Sequence, residues 1–368
     1  MENNLANDNA KKLQTDFLGV KLSSPFIVGS GPISYGAAGI IRANEAGAGA
    51  VVTKTIRDKP AENPYPHIAI NDKKSLINAE KWADIAGEQW VKNEIPRAVD
   101  KGAVVIASIG HTPGEVNNWA AKTVKAGAKM IELVSYREKD MAEMLRIAQK
   151  EVEVPIIVKI SPNWNQPAKT AIDLLQKGAD AVTVMDSIGP ALRVDIRTGR
   201  PLVAGAQGEG WLTGEAIRPI AQAIIAEIRR TQQEPIIGLG GVMNSAQAIE
   251  MMMVGADLVG VCSTLIINGV EYLKKLNPNL IDKLAELGFQ DLSEVSGYSQ
   301  KYLDDRENKD KISFCFEADK CIDCQKCVQV CSYKARELLD KTMYLNENKC
   351  RYCGCCSSVC PTEALRYE

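Results

Sequence analysis

A short phrase recurs four times in the first 270 residues: "AGAGAVVTK" at 46–54, "AGAKMIELV" at 126–134, "GADAVTVMD" at 178–186 and "GADLVGVCS" at 255–263. Each joins a Gly-Ala that can close a helix to a run rich in β-branched residues, which is how a helix hands over to the strand that follows it. A supersecondary unit repeated in this way constrains the fold more than any composition figure. Four further runs of the same character lie between helical patterns: "FIVGS" (26–30), "VVIASIG" (104–110), "IIVKISP" (156–162) and "PIIGLGG" (235–241). Near-continuous apolar strands suit a parallel sheet covered on both faces. Eight of them alternating with helices predict an α/β fold, a closed (β/α)8 TIM barrel, with an open doubly wound sheet as the alternative.

In such a barrel the site is built at the C-terminal ends of the strands, so the last residues of each run are the ones to read. They are Gly29 and Ser30, Lys54, His111, Tyr136, Lys159, Asp186, Gly240 with Gly241, and Cys262 with Ser263. A lysine at the inner end of a buried strand is costly unless an anion or a cofactor atom pairs with it, and Lys54 and Lys159 both stand there. The "GLGG" at 238–241 and the "CST" at 262–264 end strands 7 and 8. Loops after those strands commonly hold a phosphate with backbone N–H groups, although a tight turn explains a glycine pair equally well.

The charges nearly cancel, 44 Lys and Arg against 46 Asp and Glu, with no basic stripe, so nucleic acid is not an expected partner. The polar start "MENNLANDNAKK" does not read as a secretory signal and no apolar run has the length of a membrane span. The expectation is a cytoplasmic protein away from the membrane.

Cysteine is the outlier. Of 11 in the chain, nine fall between 321 and 360. After a charged, helix-prone stretch they form "CIDCQKCVQVC" and "CRYCGCCSSVCP", that is Cys321, Cys324, Cys327, Cys331 and then Cys350, Cys353, Cys356, Cys360, with Pro361 behind the second set. Both follow the C-x2-C-x2-C-x3-C spacing of bacterial two-cluster ferredoxins. A short loop wraps only three corners of a cubane, and the fourth thiolate comes from the other motif. Cys321, Cys324, Cys327 and Cys360 are therefore assigned to one 4Fe-4S cluster, and Cys350, Cys353, Cys356 and Cys331 to the other. Zinc needs no third cysteine at the next interval. Cys355 is surplus, and Ser332 stands where the first motif would carry a proline. The expected organisation is a barrel over 1–275, a helical linker and packing segment over 276–312, and a C-terminal α+β ferredoxin-like domain over 313–368. Clusters of this kind carry single electrons, so the barrel needs a group that accepts electrons singly and uses them in pairs, as flavin does.

Taken together, "VVTKTI" (51–56), "LINAEKWAD" (76–84), "VIASI" (105–109), "VKISPN" (158–163), "TGEAIRPIA" (213–221), "GLGGV" (238–242) and "VCST" (261–264) resemble the FMN-binding barrel shared by dihydroorotate dehydrogenases and dihydropyrimidine dehydrogenase. The likeness is strongest to the C-terminal half of the latter, ferredoxin module included. The resemblance implies FMN and two 4Fe-4S clusters as cofactors. It places Gly29, Ser30, Lys54, Thr55, Asn78, Lys159, Asp186, Ser187, Gly210, Gly214, Gly240, Gly241, Cys262 and Ser263 around the flavin, with Lys159 near the flavin N1 and O2, where a cation would stabilise the anionic reduced ring. It also implies a homodimer.

The substrate half departs from the family. Where strand 4 of the family ends in a phrase like "ELNLSCP", this chain reads "ELVSYRE". The pyrimidine-binding Asn is missing, and Tyr136 stands in the proton-transfer position otherwise held by Cys or Ser. Asp186-Ser187 replaces an Asn-Thr after strand 6, and Trp211 occupies a loop position usually held by Gly. Losing two amide partners disfavours a pyrimidine. Tyrosine, with an ordinary pKa near 10, donates a proton more readily than it accepts one at neutral pH, which favours a reductase. Tyr136, Lys54 and His111 are the candidate catalytic residues, while the charges of Arg137–Asp140 read either as a solvated loop or, through Arg137, as an anion contact. The expected activity is reduction of a C=C bond in a small polar substrate. The alternatives are a dihydropyrimidine or dihydroorotate dehydrogenase, and an electron-transfer subunit of a larger flavoprotein complex. No dinucleotide-binding fingerprint is present, so the expected electron donor is a ferredoxin or an NAD(P)H-oxidising flavoprotein.

Overall fold

Eight strands close on themselves in parallel: β1 (Phe26–Val28), β2 (Ala50–Val52), β3 (Val105–Gly110), β4 (Met130–Val134), β5 (Ile156–Ile160), β6 (Ala181–Val184), β7 (Ile236–Leu239) and β8 (Leu258–Val261). Each strand pairs with its sequence neighbours, and β8 returns to β1 through Val259–Phe26, Gly260–Ile27 and Val261–Val28. The computed structural model describes residues 12–303, 307 and 310–367. It has two compact units, divided between residues 303 and 304.

Alternation along the strands sorts their side chains into two cores. Ile27, Ala50, Val52, Ile106, Met130, Ile157, Ala181, Ile237 and Leu258 fill the lower barrel, and Phe17 and Leu22 of an antiparallel hairpin join them there. The intervening residues, such as Val28, Val51, Val105, Val158 and Val259, pack outward against the helices. Two residues above the lower core, the inward positions turn polar: Ser108, Glu132, Lys159 and Thr183 are all buried. The barrel interior is apolar below and charged just beneath the C-terminal rim.

The helix Pro113–Lys125 shows how local sequence fixes these elements. Thr112 caps it by accepting from the backbone of Glu115, Pro113 takes the first-turn position, and Lys122 and Lys125 lie in the last turn. Val116, Trp119, Ala120 and Thr123 form its buried stripe. Glu115 turns back, accepting from the Thr112 hydroxyl at 2.9 Å and the His111 backbone N–H at 2.7 Å. The cap thus also fixes the residue that leaves β3.

An antiparallel sheet covers the C-terminal face of the barrel in the order Ile188–Ala191, Gly210–Gly214, Ser75–Asn78, Ile68–Ile70. Its pairing Trp211–Asn78 brings two distant segments to the barrel mouth. The helix Leu273–Glu286 buries Leu276, Leu280 and Leu284 in the barrel's outer core. The expected boundary at 275/276 falls inside this helix, and the expected linker extends past 303 into residues that include some outside the described ones. Among the described residues, no helix is long and apolar enough to cross a membrane.

The second unit repeats itself. Strand Phe314–Phe316 pairs with Leu365–Tyr367, strand Thr342–Leu345 pairs with Arg336–Leu339, and the short helices Lys326–Gln329 and Cys355–Ser358 follow equivalent turns. Each of the four cysteines of the first motif recurs 29 residues later.

Candidate active site

Strands β3 and β4 run in register, Gly110 opposite Val134. The residues that leave them are therefore neighbours: the Ser135 hydroxyl donates to the His111 carbonyl at 2.9 Å. The next residue, Tyr136, lays its ring on the His111 imidazole, with centroids 4.4 Å apart and planes 17° apart. Trp82 meets His111 edge-on at 6.0 Å, and Trp211 lies 6.4 Å from Tyr136. The Arg57 guanidinium sits 4.3 Å over Trp82 and pairs with Glu115 at 2.8 Å. An aromatic wall is thus braced from behind by an ion pair and a helix cap.

This wall lines a cleft of about 560 Å³ that also receives Lys54, Thr55, Asn78, Lys159, Asp186 and Ser187. A second cleft of about 680 Å³ continues from it over the ends of β7 and β8 and is lined by Gly240, Gly241, Cys262 and Ser263. Ser30, Asn78, Lys159, Asp186 and Ser187 line both. Of the flavin-side residues expected from sequence, three lie outside these walls. Gly29 packs beneath, where an added Cβ would stand 3.2 Å from Leu239. Gly210 lines the outer mouth beside Trp211, within a volume of about 1220 Å³ open to solvent. Gly214, at φ +92°, backs onto Gly241, whose added Cβ would stand 2.5 Å from the Gly214 carbonyl oxygen. That close approach, with Gly241 itself at φ +79°, is a reason for glycine at both positions.

The two lysines differ. Lys54 is buried with its own anion, Glu80, at 2.8 Å, and its ammonium also donates to the Lys81 carbonyl at 3.0 Å. Lys159 is equally buried but makes no ion pair among the described residues. Burial works against its charge, yet the carboxylates of Asp186 and Glu132 prevail and hold its pKa above the ordinary lysine value. It is a protonated cation aimed at the junction of the two clefts. Beneath it, Glu132 accepts from Thr183 at 2.8 Å, its other carboxyl oxygen lacks a partner among the described residues, and burial pushes its pKa up.

Proton inventory separates the candidate acids. Burial, reinforced by Arg57, drives His111 down to about 4. At pH 7 roughly one molecule in a thousand carries the imidazolium. His111 is a neutral ring whose two nitrogens find no hydrogen-bond partner among the described residues. Tyr136 is half exposed, with 53 % of its surface accessible, while desolvation of its covered side and the nearby Asp186 push its hydroxyl up to about 12. It keeps its proton throughout the neutral range. Burial likewise raises Cys262 to about 11, so this residue presents a thiol and not a thiolate. Arg137 pairs with Asp140 outside the cleft walls.

The donor set fits the expected flavin. Gly240 and Gly241 present bare backbone along one wall, Ser263 lies beside them, and Lys159 supplies a buried cation with no ion-pair partner among the described residues. Sequence reading missed Glu80, Arg57 and Trp82. Glu80 and Trp82 were visible as residues of "LINAEKWAD", but their partners lie on other segments.

In the second unit, Cys331, Cys350, Cys353 and Cys356 line one cavity of about 330 Å³. Backbone N–H groups donate to equivalent sulfurs in both motifs, Asp323 to Cys321 at 3.4 Å and Tyr352 to Cys350 at 3.3 Å. Ala335 donates to Cys331 at 3.3 Å. Among the described residues, no three His, Cys, Asp or Glu side chains converge as a single-ion site requires. Thiols spread around a larger cavity with amides aimed at their sulfurs fit a cluster instead.

A family model described as dihydroorotate dehydrogenase matches residues 12–284, and one described as a 4Fe-4S dicluster domain matches residues 320–364. Among curated proteins, the chain is 29 % identical over 300 residues to the catalytic subunit of dihydroorotate dehydrogenase B (NAD(+)) of Methanothermobacter thermautotrophicus, covering 77 % of this chain and 97 % of that one. It is 31 % identical over 259 residues to the subunit of the same name from Methanocella arvoryzae, covering 67 % and 85 %. It is 27 % identical over 395 aligned positions to the NAD-dependent dihydropyrimidine dehydrogenase subunit PreA of Escherichia coli K12, covering 96 % and 95 %.

Proposed function

The chain belongs to the dihydroorotate dehydrogenase family, with an iron-sulfur module appended, and on that footing we propose that it reduces a conjugated C=C bond in a small, flat substrate. The observation that carries this reading is the Tyr136–His111 stack, flanked by Trp82 and Trp211, on the cleft wall where an amide-bearing pyrimidine site would be expected.

FMN, when bound, exchanges a hydride with carbon and single electrons with iron-sulfur clusters. The chain's own residues do the rest. Lys159 keeps a positive charge at the junction of the two clefts, where it favours negative charge. The aromatic rings exclude water and offer flat faces to a planar substrate. Tyr136 holds a proton at its hydroxyl and gives it to the carbon beside the one that takes the hydride. Tyr136 is populated as the protonated phenol at neutral pH and not as a phenolate, so it is present as a donor and not as a base; its raised pKa makes it a weaker acid than ordinary tyrosine, and the reductive direction rests on which form is populated. Cys321, Cys324, Cys327 and Cys360 would hold one 4Fe-4S cluster and Cys350, Cys353, Cys356 and Cys331 the other, and the clusters would supply single electrons. Their source is a ferredoxin or an NAD(P)H-oxidising flavoprotein, and the working unit is a cytoplasmic homodimer.

Anaerobic reoxidation of the reduced holoenzyme by a panel of enones, enoates and unsaturated heterocycles tests the reading. Flavin reoxidation by at least one conjugated class is expected. Protein purified anaerobically without flavin, or flavin inert to the whole panel, would overturn it. The near full-length match to PreA favours a second reading, dihydropyrimidine oxidation. Bleaching of the oxidised flavin by dihydrouracil at low concentration would select it.

A further inference from the structure

The internal repeat of the iron-sulfur unit makes a buried charge asymmetry visible. A shift of 29 residues superposes Cys321 on Cys350, Cys324 on Cys353, Cys327 on Cys356 and Cys331 on Cys360. The backbone follows the same repeat: Asp323 and Tyr352 both take left-handed φ, near 53° and 52°, as do Lys334 and Glu363, near 49° and 53°. Ala335 and Ala364 are both buried. The next pair breaks the rule. Leu365 is buried at 1 % exposure, and its counterpart is Arg336, buried at 7 %.

Arg336 lines the cavity formed by Cys331, Cys350, Cys353, Cys355 and Cys356; Arg351 lines it too, but is exposed and donates to the Asn348 and Cys350 carbonyls, so Arg336 is the buried cation there. Its guanidinium lies 4.1 Å over the Phe314 ring, and its Nε and Nη2 are buried with no hydrogen-bond partner among the described residues. No carboxylate pairs with it among the described residues. The repeat partner of Phe314 is Met343, so the other half sets an apolar Leu–Met pair where this half sets a cation over an aromatic ring. An unpaired buried guanidinium is expensive unless an anion meets it. A cubane with four thiolate ligands is such an anion, and its negative charge grows by one on reduction. Net charge and hydrogen bonds to the sulfurs are the protein's main levers on cluster potential.

We propose that Arg336 makes the two clusters unequal: its buried charge stabilises the reduced form of the cluster held by Cys350, Cys353, Cys356 and Cys331, so an incoming electron settles there first. This rests on the two-cluster assignment above. Arg336 does not ligate iron; it is a tuning residue. At an effective dielectric of about 20, one charge within several ångströms changes such an equilibrium by about tenfold or more, and tenfold is about 59 mV for one electron.

The test is an anaerobic potentiometric titration of the full-length holoenzyme followed by electron paramagnetic resonance. Iron and sulfide analysis of the unmodified protein comes first: content for a single cluster would overturn the two-cluster assignment itself. With two clusters loaded, two separated one-electron couples are expected. Arg336→Leu should lower the upper couple by about 59 mV, leave the lower couple in place, and bring the halves toward equality. Arg336→Lys should retain most of the separation. The reciprocal Leu365→Arg should raise the lower couple, and it serves if Arg336→Leu fails to load iron. Couples that coincide in the unmodified protein, or a separation unmoved by Arg336→Leu, would overturn the proposal. So would Leu365→Arg leaving the lower couple unchanged.

Discussion

The imidazole of His111 lies flat against the phenol of Tyr136, with ring centroids 4.4 Å apart. The two rings leave adjacent parallel strands and are tied by the Ser135 hydroxyl on the His111 carbonyl. His111 therefore positions Tyr136 without competing for the proton. Tyr136→Phe keeps the stack and removes only the hydroxyl. Substrate-dependent turnover should fall by about 10²- to 10⁴-fold, the range for losing a general acid, with flavin content unchanged. Turnover at the unmodified rate would make the barrel an electron relay instead of a reductase.

The same pair sets the pH response. Tyr136 deprotonates only near 12 and His111 protonates only near 4, so neither changes charge between about pH 5 and 10. Single-turnover substrate reduction should be flat across that window as far as these two groups are concerned. A step near 6.5 that disappears in His111→Gln would show that the histidine titrates during turnover. Stability adds a separate expectation. His111 lies at about 4 in the fold against 6.5 in its ordinary state, so between those values the unfolded chain binds the extra proton. Its contribution to stability is complete above pH 6.5 and is lost as pH falls from 6.5 toward 4. Urea midpoints of the barrel at pH 7 and pH 5 should differ more in the unmodified protein than in His111→Gln.

Trp211 owes its place to Gly189. A Cβ added at Gly189 would lie 1.7 Å from the Trp211 ring, an overlap that only movement of the ring relieves. Gly189→Ala should swing the indole away from Tyr136 and raise KM by about tenfold, the scale of one lost aromatic contact. Trp211→Ala should give a similar rise with flavin retained. KM unchanged in both variants would remove Trp211 from the substrate wall.

The barrel was legible in the sequence because each helix-to-strand handover uses the same few residues, and parallel strands buried on both faces are apolar without interruption. The covering sheet was not. Ile188–Ala191 contains a proline, Gly210–Gly214 opens and closes on glycine, and Ser75–Asn78, the other partner of Gly210–Gly214, lies more than 100 residues upstream. No local pattern announces such pairings. The site divides along the same line. Residues at strand ends, such as Lys54, Lys159 and Tyr136, follow from the barrel alone, whereas what each one touches depends on register and on loops. The register Gly110–Val134 makes the His111–Tyr136 contact intelligible once known. The Arg336–Leu365 asymmetry was open to reading in the cysteine repeat itself, but its significance needed the burial of both side chains.

Lys54 illustrates the gap between residue and partner. A buried strand-end lysine called for an anion, and the structure supplies Glu80 at 2.8 Å, with side-chain exposures of 5 % and 9 %. Removing one member of a buried pair leaves the other charge uncompensated, at a cost of about 3–5 kcal/mol, whereas removing both avoids that penalty. Glu80→Gln should therefore destabilise the barrel strongly in urea unfolding, and adding Lys54→Met to it should recover much of the loss. Flavin content then separates two roles for the lysine. If Lys54 only balances Glu80, the double variant will be both stable and flavin-loaded. A double variant that is stable but binds flavin weakly would show that the ammonium also serves the cofactor, as the family resemblance implies. Equal stability of Glu80→Gln and the unmodified protein would mean that solvent already screens the pair.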